Sequence, residues 1–379
     1  MKSIALTSLA MVLAACSDSL SPGLTNEKNS PPALARSNVA SSTGVPVTVL
    51  PSLGGSASAR AINDAGTIVG TSVEVTRSSS TSYAIKWTLV NGAWTIAKLP
   101  GGQGAAAYAI NGNETIVGQS SERRAVMWTL GGGPVVLGCP QDVGPDYALG
   151  INTQETVVGA RSDVSPGRAV VWTKGGCRED LPPLPNGGGS AEARAINDGG
   201  TVAGHAYDAA NNEWAVVWTR ETDPATMVTT WVIHQLDAPG QAGAWNINGA
   251  GNVVGSFFPC VPGTGTCRAH AMLWPAGSAG TDLGTLGGAL SAAFGINTAG
   301  EIVGYSYPAS PPGSNNNHAF VWWPTAAGAT TGTMQDLGTL GNDTDSEAYG
   351  INTNRQVVGL GLNNHTGSRR ALLWPMSAP

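Results

Sequence analysis

A short apolar run ending in Ile-Asn, a Gly seven residues later, then Ala-x-x-Trp: this phrase occurs seven times in the chain. The asparagines are Asn63, Asn111, Asn152, Asn197, Asn248, Asn297 and Asn352. The glycines are Gly70, Gly118, Gly159, Gly204, Gly255, Gly304 and Gly359, and the tryptophans Trp87, Trp128, Trp172, Trp218, Trp274, Trp322 and Trp374. Successive asparagines are 41 to 55 residues apart, the size of one supersecondary unit that cannot bury its apolar face alone. The units run from about Pro46 to Trp374, which leaves no stretch for a second core in 379 residues.

The sixth unit shows the plan of the others. Ser291 to Ile296 alternates small and apolar residues, a strand signature. Asn297-Thr-Ala-Gly300 is a tight turn, and Glu301 to Gly304 begins a second strand. Ala319 to Trp322 supplies a third strand and Met334 to Leu340 a fourth, which together make one four-stranded propeller blade. The recurring Trp is expected between neighbouring blades, where each ring buries roughly 150–250 Å². The recurring Asn and Gly are both expected to be turn chemistry. Gly holds the fourth turn position in four units, whereas Glu114, Glu155 and Arg355 hold it in the other three.

The last unit stops at Trp374-Pro375 without a fourth strand, and the matching phrase stands at the other end as Thr48-Val-Leu-Pro-Ser-Leu53. A ring closed by that segment has no open sheet edges to invite aggregation, whereas a linear solenoid needs capping units that the sequence does not contain. The expected fold is all-β: a seven-bladed β-propeller of four-stranded blades, its last blade completed by the N-terminal strand.

The chain resembles the HAF family of probable extracellular repeats through His318-Ala-Phe320, Leu283-Gly-Thr-Leu-Gly-Gly288, Gly-Ile-Asn and Ile-Val-Gly, over nearly the whole repeat region. Arg124-Ala-Val126 and Arg168-Ala-Val170 depart from the family's phrase. The resemblance implies an extracellular repeat protein and carries no reaction or ligand.

Residues 1–15 read as a lipoprotein signal peptide: Lys2, an apolar stretch Ile4 to Val12, then Leu13-Ala-Ala-Cys16 as a lipobox. Cys16 is the expected lipid attachment site, and acyl chains burying roughly 0.8 kcal/mol per methylene would hold the protein on a membrane without spanning it. By resemblance to Gram-negative sorting signals, Ser17 points to the outer membrane. Residues 16–44, rich in Ser, Pro and Asn, read as a disordered tether, and 45–379 as the single propeller domain.

Composition narrows the function. Only 12% of residues are charged, the net charge is −6 and no basic block occurs, which argues against nucleic acid as a partner. No nucleophile elbow, zinc-protease helix, phosphate loop or dinucleotide fingerprint is present, so no catalytic residue and no cofactor is expected. His270 and His318 occupy a strand position that other units fill with Arg, Trp or Tyr, and Asn342 to Glu347 lacks the central Gly of a calcium loop; no metal site is expected. Cys260 and Cys267 lie in one loop and are expected to form a disulfide, while Cys139 and Cys177 either pair or stay as buried thiols.

The turn between first and second strands never changes length, whereas the loop between second and third does: Gly118 to Ala125 spans 7 residues and Gly255 to Ala271 spans 16. Variable loops on a rigid scaffold are where binding resides. The expected recognition face comprises segments 73–82, 205–214, 256–270, 305–318 and 360–370, with His205, Tyr207, Trp214, Phe257, Phe258, Tyr305 and Tyr307 exposed on it. The leading function is a monomeric, lipid-anchored, non-enzymatic scaffold at the cell envelope or surface that binds a protein or a glycan. A propeller glycosidase or lyase acting on extracellular polysaccharide is the alternative, and an envelope protein with no specific ligand a third.

Overall fold

The protein is known from a computed structural model that describes residues 39–185, 189–258, 260–261, 266–309 and 316–377; for residues 39, 260, 261, 266 and 267 only the backbone is described. Seven four-stranded antiparallel sheets form the blades of a seven-bladed propeller, and no helix occurs among the described residues. Blades 1 to 6 span residues 54–103, 106–136, 146–180, 191–235, 242–284 and 287–338. Blade 7 takes three strands from 345–375, and its fourth is Pro46–Val49, with Thr48 opposite Leu373 and Val49 opposite Leu372. The ring closes as the repeat count demands.

The first strands of neighbouring blades touch one another all the way round, so they form the innermost layer. Between blades lie seven apolar clusters, each joining the Trp of one blade to strands of the blade before it. Trp218 of blade 4 packs with Val158, Ala169 and Val171 of blade 3, and Trp87 of blade 1 with Val358 and Leu373 of blade 7. All seven indoles are buried. At about 25 cal/mol per Å² each contributes roughly 4–6 kcal/mol as an upper bound. Four indole N–H groups also donate to the segment arriving from the preceding blade: Trp87 to Pro51 O (2.7 Å), Trp128 to Pro100 O (3.0 Å), Trp218 to Pro182 O (2.9 Å) and Trp274 to Asp237 O (2.7 Å).

The repeated Asn does more than shape a turn. Its Oδ1 accepts the N–H four residues on, as in Asn248 from Asn252 (3.0 Å). Its Nδ2 then donates to the backbone carbonyl of the next blade's Asn: Asn63 to Asn111, Asn111 to Asn152, Asn152 to Asn197, Asn197 to Asn248, Asn248 to Asn297 and Asn297 to Asn352. Asn352 donates to Asn63 at 3.0 Å and completes the circle. This girdle of seven bonds uses both ends of every buried amide.

The repeated Gly, by contrast, is not turn chemistry, which corrects the expectation. It sits within the second strand, opposite a β-bulge of the first: a Cβ on Gly70 would overlap the carbonyl oxygen of Ser58, and one on Gly204 that of Glu192. Only a residue without a side chain lets the bulged strand come so near. The left-handed turn position is instead the one shared by four glycines with Glu114, Glu155 and Arg355, whose φ values are 62°, 60° and 59°. Those three side chains offset the strain by reaching a neighbouring blade: Glu114 accepts from Asn63 Nδ2 (2.7 Å), Glu155 from Thr115 Oγ1 (3.3 Å), and Arg355 pairs with Glu301 (2.7 Å).

The expectations about the ends and the cysteines have separate outcomes. The signal peptide, Cys16 and the tether up to residue 38 lie outside the described residues. The last part of the expected tether belongs to the propeller instead: Val39–Ala40 pairs with Pro46–Val47, and Ser42 N donates to Thr339 O (2.8 Å). Cys139 and Cys177 are joined by a disulfide between the segment leaving blade 2 and the residue just before the fourth strand of blade 3, their Cα atoms 4.7 Å apart. Cys260 and Cys267 face each other across a two-stranded hairpin, but their side chains, and so the expected bond, lie outside the described residues.

Candidate ligand site at the channel mouth

Each first strand carries its bulge three residues before the girdle Asn, where the register skips Arg60, Tyr108, Leu149, Arg194, Trp245, Phe294 and Tyr349. Small residues flank nearly all of these positions, and the bulge turns the one large side chain towards its counterparts in the next blade. Five of them meet in sequence along the inner ring. Arg194 lies over the Trp245 ring at 4.5 Å, Trp245 meets Phe294 edge-on at 6.1 Å, Phe294 meets Tyr349 at 5.6 Å, and Arg60 lies over Tyr349 at 4.6 Å. Blades 4, 5, 6, 7 and 1 thus share an aromatic row with a guanidinium at each end. Tyr305 and Tyr307, on the second strand of blade 6, extend it, with Tyr305 5.6 Å from Phe294 and 6.4 Å from Tyr307.

Two acidic groups flank the row at the end of the ring that bears the second-to-third-strand loops, opposite the Asn girdle. In blade 4, Glu192 on the first strand stands opposite His205 on the second, and Tyr207 opposite Glu213 on the third. Glu192 accepts from Tyr147 of blade 3 (2.6 Å) and pairs with Arg194. Burial works against its charge, but Arg194, His205 and the Tyr147 hydroxyl outweigh that and hold its carboxyl below the usual range. Glu213 goes the other way: burial pushes it up to about 7 against the bond from Tyr207 and the charge of Arg194, with Glu192 adding to the rise. Burial likewise drives His205 down to about 4, although Glu192 opposes this, so the ring is neutral at neutral pH. In blade 7, Glu347 accepts from Asn317 Nδ2 (3.1 Å) and from the Tyr349 hydroxyl.

The residues expected on an exposed face are all at least half-buried. His205, Tyr207, Tyr305 and Tyr307 do lie at the mouth, but His205 is buried and the three tyrosines half-buried, so none stands free on a loop. Phe257 is one residue out of phase with them and points into the core between blades 4 and 5 with Trp274. Phe258 is buried as well. Trp214 is half-buried and its indole N–H is taken by Asp208 (3.0 Å). The sequence reading missed Glu192, Arg194, Glu213, Trp245, Phe294 and Tyr349; a single large residue between small ones, three before each Asn, was the available signal for Arg194, Trp245, Phe294 and Tyr349, and none marked Glu192 or Glu213.

The acidic and histidine side chains weighed for a metal are engaged with protein partners. Asp343 pairs with Arg370 (3.1 Å), Asp345 accepts from Asn317 N (2.9 Å) and Thr344 Oγ1 (2.7 Å), and Glu347 is occupied as above. His270 and His318 each contact an aspartate of the adjacent fourth strand, Asp282 and Asp336, at 2.9 Å. Among the described residues the one group with ligand atoms close enough for an ion is Cys139, Asp142 and Cys177, whose two sulfurs are already bonded to each other.

No protein-family model matches this sequence, and no curated protein matches it. Solved structures with a similar outline include a gluconolactonase from Xanthomonas campestris, at 12% identity and TM-score 0.29, covering 60% of this chain and 76% of that one. Trypanosoma rangeli sialidase matches at 11% identity and TM-score 0.40, over 93% of this chain and 59% of its own. The same sialidase with the inhibitor DANA matches at 11% identity and TM-score 0.38, over 89% and 57%. The chain therefore spans less than two thirds of the sialidase, and at these values neither protein's activity transfers.

Proposed function

We propose that this chain is an exported, envelope-anchored propeller that binds a glycan at its channel mouth without turning it over. One observation carries the reading: the aromatic row from Arg194 to Arg60, with Tyr305 and Tyr307 beside it and carboxylates at both flanks. Sugar rings present apolar C–H faces and a rim of hydroxyls, which match ring faces and edge carboxylates in a concave site. A flat protein partner would be met by aromatic anchors on the outer loops, whereas here those residues are recessed within the ring. Lipidation at Cys16 rests on the lipobox, and placement at the outer membrane on the resemblance of Ser17 to a sorting signal. The Cys139–Cys177 disulfide is in keeping with an oxidising compartment.

The test is binding of the full chain to an array of neutral and acidic glycans, with Tyr305→Ala/Tyr307→Ala as the mouth variant. Saturable binding that the double variant abolishes upholds the reading; binding to proteins alone, or none, overturns it. Incorporation of an alkyne-labelled fatty acid, lost in Cys16→Ser, checks the anchor.

A second reading has its own observation. Glu192 held ionised and Glu213 raised towards neutrality, both buried in blade 4, form the pattern by which acid and base roles separate in hydrolases. Release of reducing ends from a bound polysaccharide, abolished by Glu213→Gln, would replace the binding reading with this one.

A further inference from the structure

Five side-chain atoms of blade 4 are buried without a hydrogen-bond partner; Glu192 Oε1 and Arg194 Nε meet as an ion pair and Trp231 Nε1 lies on the fourth strand, which leaves His205 Nδ1 and Glu213 Oε1 facing each other. Their residues are 6% and 5% exposed, and the two atoms are 3.9 Å apart. A buried polar group without a hydrogen bond is costly, so two of them facing each other can be satisfied together by one bridging atom. An oxygen at about 2.8 Å from each fits that separation.

The surroundings are shaped around the pair. Gly243 of blade 5 makes room for it: a Cβ there would come within 2.7 Å of Glu213 Oε1. The Trp245 ring stands 5.7 Å from His205 on one side, and the half-buried Tyr207 ring meets His205 edge-on at 5.8 Å while its hydroxyl bonds Glu213. Blade 1, by comparison, places Thr71 and Val73 at the positions of His205 and Tyr207, and blade 2 places Gln119 and Ser121 there. The pocket belongs to this blade and is not a property of the repeat.

We infer that His205 and Glu213 form a subsite for one hydroxyl group of a neutral sugar unit, which enters past Tyr207 and bridges the two atoms. This rests on the glycan reading and deepens it. The chemistry selects a hydroxyl because it both donates and accepts. At neutral pH the imidazole is uncharged and the carboxyl is close to half-protonated, so the pair offers one group of each kind. An ammonium can only donate and a carboxylate can only accept. The charges of Glu192 and Arg194 cancel beside the pocket, so no net field draws in an ion.

The experiment is isothermal titration of the full chain with neutral oligosaccharides of gluco, galacto, manno and xylo configuration. Wild type is compared with Glu213→Gln, with His205→Gln in case the first variant folds poorly, and with the Tyr305→Ala/Tyr307→Ala mouth variant. Expected is binding of a neutral oligosaccharide that weakens by about tenfold or more in each subsite variant, the loss of one hydrogen bond to a partly charged group. The matching deoxy-sugar should lose a similar factor against wild type and little against the variants. Binding abolished by the mouth variant but unchanged in both subsite variants overturns the subsite and leaves the glycan reading standing. Absence of binding to every sugar overturns both. A soaked crystal showing only water between the two atoms also overturns the subsite.

Discussion

The two ends of the ring are built from the same seven repeats and obey opposite rules. At the girdle end every blade makes the same bond, Asn side chain to the next blade's Asn carbonyl. At the mouth the equivalent strand positions hold Ser, Ala, Tyr, Glu, Gly, Ala and Glu, from Ser58 round to Glu347. A closed ring explains the contrast. Closure is only as good as its weakest junction, so a residue serving closure must be present in every blade. Recognition needs one distinctive patch, so residues serving it must differ between blades. Uniformity marks what holds this molecule together, and irregularity marks where it meets something else.

The contrast can be broken most forcefully at the seam. Deleting residues 39–50 removes blade 7's fourth strand with buried Val47 and Leu50, and should cost on the order of 5 kcal/mol or more, enough to abolish a cooperative denaturation curve. An unchanged midpoint would mean that the ring does not depend on its closing strand. Next comes Trp218→Ala, which opens a cavity between blades 3 and 4 and should lower stability by about 3–5 kcal/mol in urea titration.

Asn248→Ala probes the girdle itself. It removes the bond to Asn297 and two turn bonds, to Ala250 and Asn252, and should cost about 2–3 kcal/mol, whereas Tyr305→Ala at the mouth should cost about 1 kcal/mol. Equal costs at the two ends would dissolve the comparison.

The smallest effect is also the most diagnostic, because it changes with pH. Glu213 has an ordinary value of 4.5 and titrates near about 7 when folded. Between those values the folded chain still holds a proton the unfolded chain has released, so stability falls as pH rises, and the full cost is present above 7. His205 acts oppositely: its ordinary 6.5 drops to about 4, so stability falls as pH drops through that interval. The groups facing this pair are Glu192, Arg194 and Tyr207 of blade 4 and Tyr147 of blade 3. Glu213→Gln should therefore stabilise by about 2 kcal/mol at pH 8 and have little effect at pH 4.5, read as the difference between two melting series. A gain of the same size at both pH values would show that the carboxyl is not titrating in the fold.

Much of the architecture could be read in the chain because it rests on short-range pattern. Alternation in Ser291 to Ile296 marks a strand, and the orphaned phrase at Thr48 marks the closing strand, before any coordinate is known. The roles of Asn and Gly could not be separated in that way. Both stand near a turn, and six girdle bonds join residues 41 to 55 positions apart while the seventh joins residues 289 apart, partners that only the blade-to-blade packing brings together. The recognition residues were read half correctly. Tyr305 and Tyr307 were found as aromatic outliers near a variable loop, but Phe257 shares that signal while its strand parity sends it into the core.

Repetition, then, was sufficient to determine blade number, strand count, closure and the buried tryptophans, since each follows from local periodicity and from the need of every unit to bury one face against its neighbour. Which large side chains face the inside of the ring, which carboxyl stays protonated and which polar atoms are left unpaired were decided by tertiary structure alone. Bulges rotate side chains without changing the residue pattern, and desolvation depends on neighbours that three blades bring together.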